Sequence, residues 1–137
     1  MVHALEEAHR VLKPDSLLLD LRPAAEHRRI GIETNGRYEE VAVMQEKLDD
    51  DYAANRAVNT AIQRGLFKQV SRRQFNCTRV MLLKDLGDWV KDFSDDPHSR
   101  EKRLRQKVEQ AYRSRQGRKL IVANGPLVLR LLRVLKG

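Results

Sequence analysis

An amphipathic helix that runs into a proline and is followed at once by a run of leucines constrains this 137-residue chain more than any other feature. From Val2 to Lys13, Leu5, Ala8, Val11 and Leu12 fall on one stripe while Glu6, Glu7 and Arg10 lie off it, a spacing that predicts a helix. Pro14 ends it, because a proline pushes the preceding residue out of the α region. Leu17-Leu18-Leu19 with Leu21, closed by Pro23, then predicts a buried strand delivered by a helix, as in a parallel sheet.

The remaining pattern alternates between the two periods. Ile30 and Ile32 before Asn35-Gly36, with Tyr38, Val41 and Val43 after it, predict a hairpin, since Asn-Gly suits the positive φ angles of a tight type I′ turn. Asp49-Asp50-Asp51 offers N-cap candidates and negative charge for the start of a helix. That helix carries Ala54, Ala57, Val58, Ala61 and Ile62 and stops at Gly65. Leu66 to Leu83 predicts a long strand bent near Ser71-Arg72-Arg73, with Phe75, Cys77, Arg79 and Met81 on one face and Val80 and Leu82 on the other. Leu86, Trp89, Val90 and Phe93 predict a short helix whose stripe is core. Asp96-Pro97 starts another, with Leu104, Val108, Ala111 and Tyr112 as its apolar stripe and Gly117 as its end. Leu120 to Val122, a break at Asn124-Gly125-Pro126, and Leu127 to Leu135 predict two further strand pieces. No repeat, low-complexity tract or flexible linker interrupts this order, so a single domain over residues 1–137 is expected.

Composition removes several classes of protein. With 41% apolar and 34% charged residues the chain is globular rather than disordered. No apolar run approaches the roughly 20 residues that span a bilayer, and the first residues lack the basic and apolar regions of a secretory signal. A lone cysteine, Cys77, excludes an intrachain disulfide framework and a cysteine-rich zinc site, so a reducing cytoplasm is the expected location. The net charge of +8 is uneven. From Pro97 onward there are 12 Lys or Arg against 2 Glu, giving +10, which leaves 8 − 10 = −2 for residues 1–96.

The string from Ala4 to Asp20, ALEEAHRVLKPDSLLLD, resembles a segment of the class I S-adenosylmethionine-dependent methyltransferases, in which a helix ending in E-x-x-R-V-L-K-P-G-G leads into the fifth strand. Glu6 or Glu7, Ala8, Arg10, Val11, Leu12, Lys13 and Pro14 match that pattern in type, whereas Asp15-Ser16 replaces the family's Gly-Gly with two other turn formers. The later order of elements is similar to the family's C-terminal half. The resemblance therefore implies an α/β fold, α+β-like in this piece: a partial Rossmann-like sheet, mixed, with helices packed on it and an antiparallel pair at the C-terminus. Leu66–Leu83 and Leu120–Leu135 would form that pair, the last strand inserted between the fifth and the sixth. It also implies S-adenosylmethionine as cofactor, held by a glycine-rich turn and an acidic strand end that lie upstream of the resembling region. None of the seven glycines falls in a G-x-G spacing, so no cofactor-binding residue is carried over and the chain alone is expected to be inactive.

Other chemistry has little material. His3, His9, His27 and His98 lack the i, i+4 placement of helical zinc motifs, and no metal ligand set is expected. Helix capping accounts for the three aspartates, which lack the spacing of a calcium loop. Cys77 is read as a small buried hydrophobe, since nothing nearby in sequence would activate a thiolate, and no catalytic residue is assigned. A basic stretch remains, read first as a solvated helix face: Arg100, Lys102, Arg103, Arg105, Lys107, Arg113, Arg115, Arg118 and Lys119 crowd one helix and its exit and are the candidate anion contacts. Arg130 and Arg133 add charge to the last strand without an evident role. Two readings follow. One is a methyltransferase C-terminal module, truncated or split, that forms a homodimer or recruits a complementary chain through an exposed sheet edge. The alternative is a nucleic-acid- or polyanion-binding module acting through the helix over residues 97–119.

Overall fold

A computed structural model describes residues 1–93 and 100–137, with the side chains of residues 93, 100 and 101 outside the description. In chain order the elements are α1 (Val2–Val11), β1 (Leu17–Pro23), β2 (Arg29–Thr34), β3 (Arg37–Val43), α2 (Asp49–Gln63), β4 (Phe67–Met81), a short 3-10 turn (Leu83–Asp85), α3 (Leu86–Phe93), α4 (Arg100–Ser114) and β5 (Lys119–Val134). The strands form an open antiparallel sheet ordered β1-β5-β2-β3, with β4 also pairing β5. This is the expected mixture of helices and sheet in its α+β form. Contacts divide the chain into two units, Met1–Ala25 with Leu48–Phe75 and Pro126–Gly137, and Glu26–Lys47 with Asn76–Gly125.

In the first unit the helix–proline–strand segment forms as its residues dictate. Leu12 takes an extended conformation ahead of Pro14. Asp15 turns the chain at φ 63°, a left-handed conformation that Asp tolerates better than most residues. The turn is tied to β5, since the Asp15 N–H donates to the Val134 carbonyl (3.1 Å) and the Val134 N–H to the Ser16 carbonyl (2.9 Å). Lys136 Nζ donates to the carbonyls of Arg10 and Leu12, satisfying the C-terminal end of α1. Leu5, Ala57, Val58, Ala61, Phe67, Leu132 and Val134 make the core, joined by the half-buried Leu12 and Leu18. Each fully buried large apolar side chain here contributes about 1.5–3 kcal/mol.

In this unit β1 differs from expectation. It lies antiparallel to β5, with Leu17 opposite Arg133 and Pro23 opposite Leu127, and it is not buried on both faces. Leu18, Asp20 and Arg22 point toward the helices, while Leu17, Leu19 and Leu21 are exposed on the other side. Leu48, rather than an aspartate, is the N-cap of α2. Asp49, Asp50 and Asp51 occupy the first turn, where their charge opposes the positive end of the helix dipole.

In the second unit the Asn35-Gly36 hairpin forms as predicted, with φ of 52° and 81° at the two turn residues. The ladder shifts at Ile30/Gly31, where an added β-carbon on Gly31 would stand 2.4 Å from the Glu39 carbonyl and 2.6 Å from the Tyr38 ring, so only glycine fits. β2 is flanked by β3 and by residues 119–124 of β5. Ile30, Ile32, Ala42, Met44, Met81, Leu86, Trp89, Val90, Val108, Ile121 and Ala123 form the core, and Trp89 belongs to it as its helical spacing predicts.

The long strands depart from expectation in detail. β5 continues through Asn124-Gly125-Pro126 instead of breaking there. β4 is exposed at every residue between Phe67 and Met81, and Cys77 is therefore exposed, which corrects the expectation of a buried thiol. The predicted helix start at Asp96-Pro97 lies outside the described residues.

Candidate functional site

The first unit presents an open face on β1 and β5. Cross-strand partners in the register share a face, so Leu17, Leu19 and Leu21 lie beside Arg133, Leu131 and Leu129. The three β1 leucines are 53%, 66% and 57% exposed, and Leu129 and Leu131 are half-buried. Among the described residues β1 hydrogen-bonds only β5, which leaves its other edge with unpaired backbone groups. A free edge beside an apolar face is the arrangement that recruits another strand.

On the opposite face of the same strands sits a buried polar cluster that the sequence reading missed. Asp20 and Arg130 face each other across β1 and β5 and are 9% and 6% exposed. Arg22 Nε donates to both Asp20 oxygens (2.8 and 3.0 Å), and its Nη1 donates to Asn55 Oδ1 at 3.0 Å. Arg130 Nη1 donates to Asn59 Oδ1 at 2.9 Å, so the two asparagines, one turn apart on α2, each hold one guanidinium. Arg22 Nη2 and Arg130 Nε are buried without a partner among the described residues. Burial pulls Arg130 below the usual arginine range, and repulsion from Arg22 and Arg72 adds to this, while Asp20 opposes it. Asp20 and Arg130 interrupt apolar strand patterns, which was the available signal. Nothing in the sequence says that they are neighbours.

The predicted anion contacts lie in the second unit, and α4 sorts them by face. Leu104, Val108, Ala111 and Tyr112 turn inward, leaving Lys102, Arg103, Lys107 and Arg113 exposed. Arg105 pairs with Glu109 at 3.1 Å and covers Gly87, and Arg115 pairs with Glu39 at 2.8 Å. Lys119 is withdrawn from the set. Its ammonium donates to the carbonyls of Tyr112 (2.8 Å) and Arg115 (3.0 Å) and lies 4.4 Å from the Tyr112 ring centre, closing the end of the helix. Arg118 is exposed where the chain meets the hairpin turn, its carbonyl accepting the Asn35 N–H. The Arg100 side chain lies outside the described residues.

The other candidates have local roles. His3 contacts Glu6, His9 Nε2 meets the Leu135 carbonyl at 2.7 Å, and His27 accepts the Glu46 N–H, while His98 lies outside the described residues. Among the described residues no three His, Cys, Asp or Glu side chains gather as a metal site, and no helix is long and apolar enough to cross a membrane. Tyr38 lines a cleft of about 480 Å³ with Arg37, Glu39, Ser114 and Arg115. Its phenol is pushed above the usual range by burial and by the Glu40 charge, against a hydrogen bond to Asn124 and the Arg29 charge.

The glycines have local roles as well. Gly36, Gly65 and Gly117 serve the hairpin and the ends of α2 and α4 at positive φ, and Gly31 and Gly87 are covered by Tyr38 and Arg105. No protein-family model, no curated protein and no solved structure matches the chain.

Proposed function

We propose that this chain is a methyltransferase C-terminal module, inactive alone, whose free β1 edge is covered by a complementary chain or, when that chain is not present, by a second copy of itself. The edge carries the reading: among the described residues β1 has one strand neighbour, and its exposed face is built from Leu17, Leu19 and Leu21. A strand made to be covered spends its alternate positions on apolar side chains, as β1 does. Two further features support the assignment. The α1–Pro14–turn–β1 segment has the residue types of the family's approach to its fifth strand. β5 pairs antiparallel with β1 and also pairs β4, the neighbours that the resemblance implies for the last strand.

On this reading the chain contributes scaffold and interface, and the partner supplies the donor pocket. Titration calorimetry of the isolated chain with S-adenosylmethionine is expected to give no binding heat at micromolar ligand. Light scattering at tens of micromolar protein, a concentration at which an ordinary interface of about −8 kcal/mol is occupied, is expected to give a mass above the monomer's 15.9 kDa. Micromolar cofactor binding, or a monomer at that concentration, overturns the proposal.

A further inference from the structure

We propose that the outward face of α4 is a contact surface for duplex DNA. This inference does not depend on the methyltransferase reading.

Residues 102, 103, 106, 107, 110, 113 and 114 are the exposed positions of the described helix apart from Arg105, and they follow its outward side. They read Lys102, Arg103, Gln106, Lys107, Gln110, Arg113 and Ser114: four cations, two amides and a hydroxyl, with no carboxylate. The one acid among the helix side chains described, Glu109, lies at the flank and is taken up by Arg105. No ion pair engages Lys102, Lys107 or Arg113 among the described residues, so their charge is directed at solvent. From Lys102 to Arg113 the helix rises about 17 Å.

The chemistry selects among polyanions. The face has no aromatic side chain on which unpaired bases could stack, which disfavours single strands. It has no large apolar side chain to insert at a lipid interface, which disfavours an anionic membrane. The major groove of B-DNA admits an α-helix, whereas that of A-form RNA is too narrow. Arg, Lys and Gln are the residues that meet guanine and adenine edges there, and the flanking cations reach phosphates. Phosphate contacts by Lys102, Lys107 and Arg113 release counterions in a number that sets the salt dependence, a slope of about −2.7 for log K against log salt.

Fluorescence anisotropy with a labelled duplex of about 20 base pairs, using the full chain at low and moderate salt, tests this. The wild type is expected to bind at low salt with a slope near that value. The double variant Lys107→Glu/Arg113→Glu is expected to bind at least about tenfold more weakly, with a slope shallower by about 2. The variant Arg56→Glu/Lys68→Glu alters the net charge equally at two exposed residues of the first unit and is expected to bind within about threefold of wild type. Circular dichroism establishes that all three proteins are folded to the same extent. Absence of binding at low salt overturns the proposal. So does an equal loss in the two variants, which would mean bulk charge alone, or equal affinity for a duplex RNA of the same sequence or for phosphatidylserine vesicles.

Discussion

Arg130 and Asp20 occupy one buried neighbourhood but make opposite demands on it. Asp20 is held by both of its oxygens on Arg22, so removing the carboxylate leaves the half-buried Arg22 and the buried Arg130 without that countercharge. Asp20→Ala is expected to cost ~3–5 kcal/mol in urea unfolding, the range for breaking one partner out of a buried pair. Arg130 has an unpartnered Nε and two cations near it, so exchange for an unbranched apolar side chain relieves as much as it loses. Arg130→Met is expected to change stability by no more than ~1 kcal/mol, and a loss as large as that of Asp20→Ala would rule out this account of the cluster. A second residue gives a pH signature. The difference in ultraviolet titration between wild type and Tyr38→Phe isolates the Tyr38 phenol, whose midpoint is expected above the ordinary value of 10.0. The folded protein holds that proton more tightly than the unfolded chain. The associated stability is therefore present below about pH 10 and lost as pH rises through the folded value. A midpoint at or below the ordinary value would contradict this account of the phenol's surroundings. At this scale the sequence was legible where one residue type answers one backbone need, as at Asn35-Gly36, and silent where two distant residues meet, as at Asp20 and Arg130.

Helices and strands were legible to the extent that their period was unmixed. The stripes of α1, α2 and α4 placed Leu5, Val58 and Val108 in the two cores as expected. The leucine run of β1 was read as buried because hydrophobicity alone does not tell whether one face or two will be covered. Cys77 was misplaced for a related reason: β4 carries an alternating pattern, but almost none of its residues is buried. In the basic segment, charge along the chain gave no measure of charge in space. Lys119 counted as a candidate anion contact, yet its ammonium closes the C-terminal end of α4 from beneath. Lys119→Met is expected to cost ~1–2 kcal/mol, combining the loss of favourable charge at a helix end with the loss of its seat on the Tyr112 ring. Thermal unfolding followed by circular dichroism reads that loss. A neutral outcome would return Lys119 to the solvent-facing set.

For the molecule as a whole, a net charge of +8 and an apolar β1 face imply opposite responses to salt for two kinds of association. Copies meeting through Leu17, Leu19 and Leu21 bring like-charged bodies together, and that repulsion is screened over about 10 Å at 0.1 M salt. Self-association is therefore expected to tighten as sodium chloride rises from low to moderate concentration. Any complex with a polyanion loosens over the same range, because counterions are released when it forms. Leu19→Lys separates the two. Leu19 is the most exposed of the three leucines, so the substitution is expected to leave folding within ~0.5 kcal/mol of wild type. It places a charge in the middle of the face and at an open strand edge, a position where lysine commonly blocks edge pairing. Sedimentation of this variant is expected to give a monomer at every salt concentration, with its polyanion binding and salt slope retained. If the variant associates as wild type does, the contact lies elsewhere on the protein, and the β1 edge loses its claim to be the surface that a complementary chain completes.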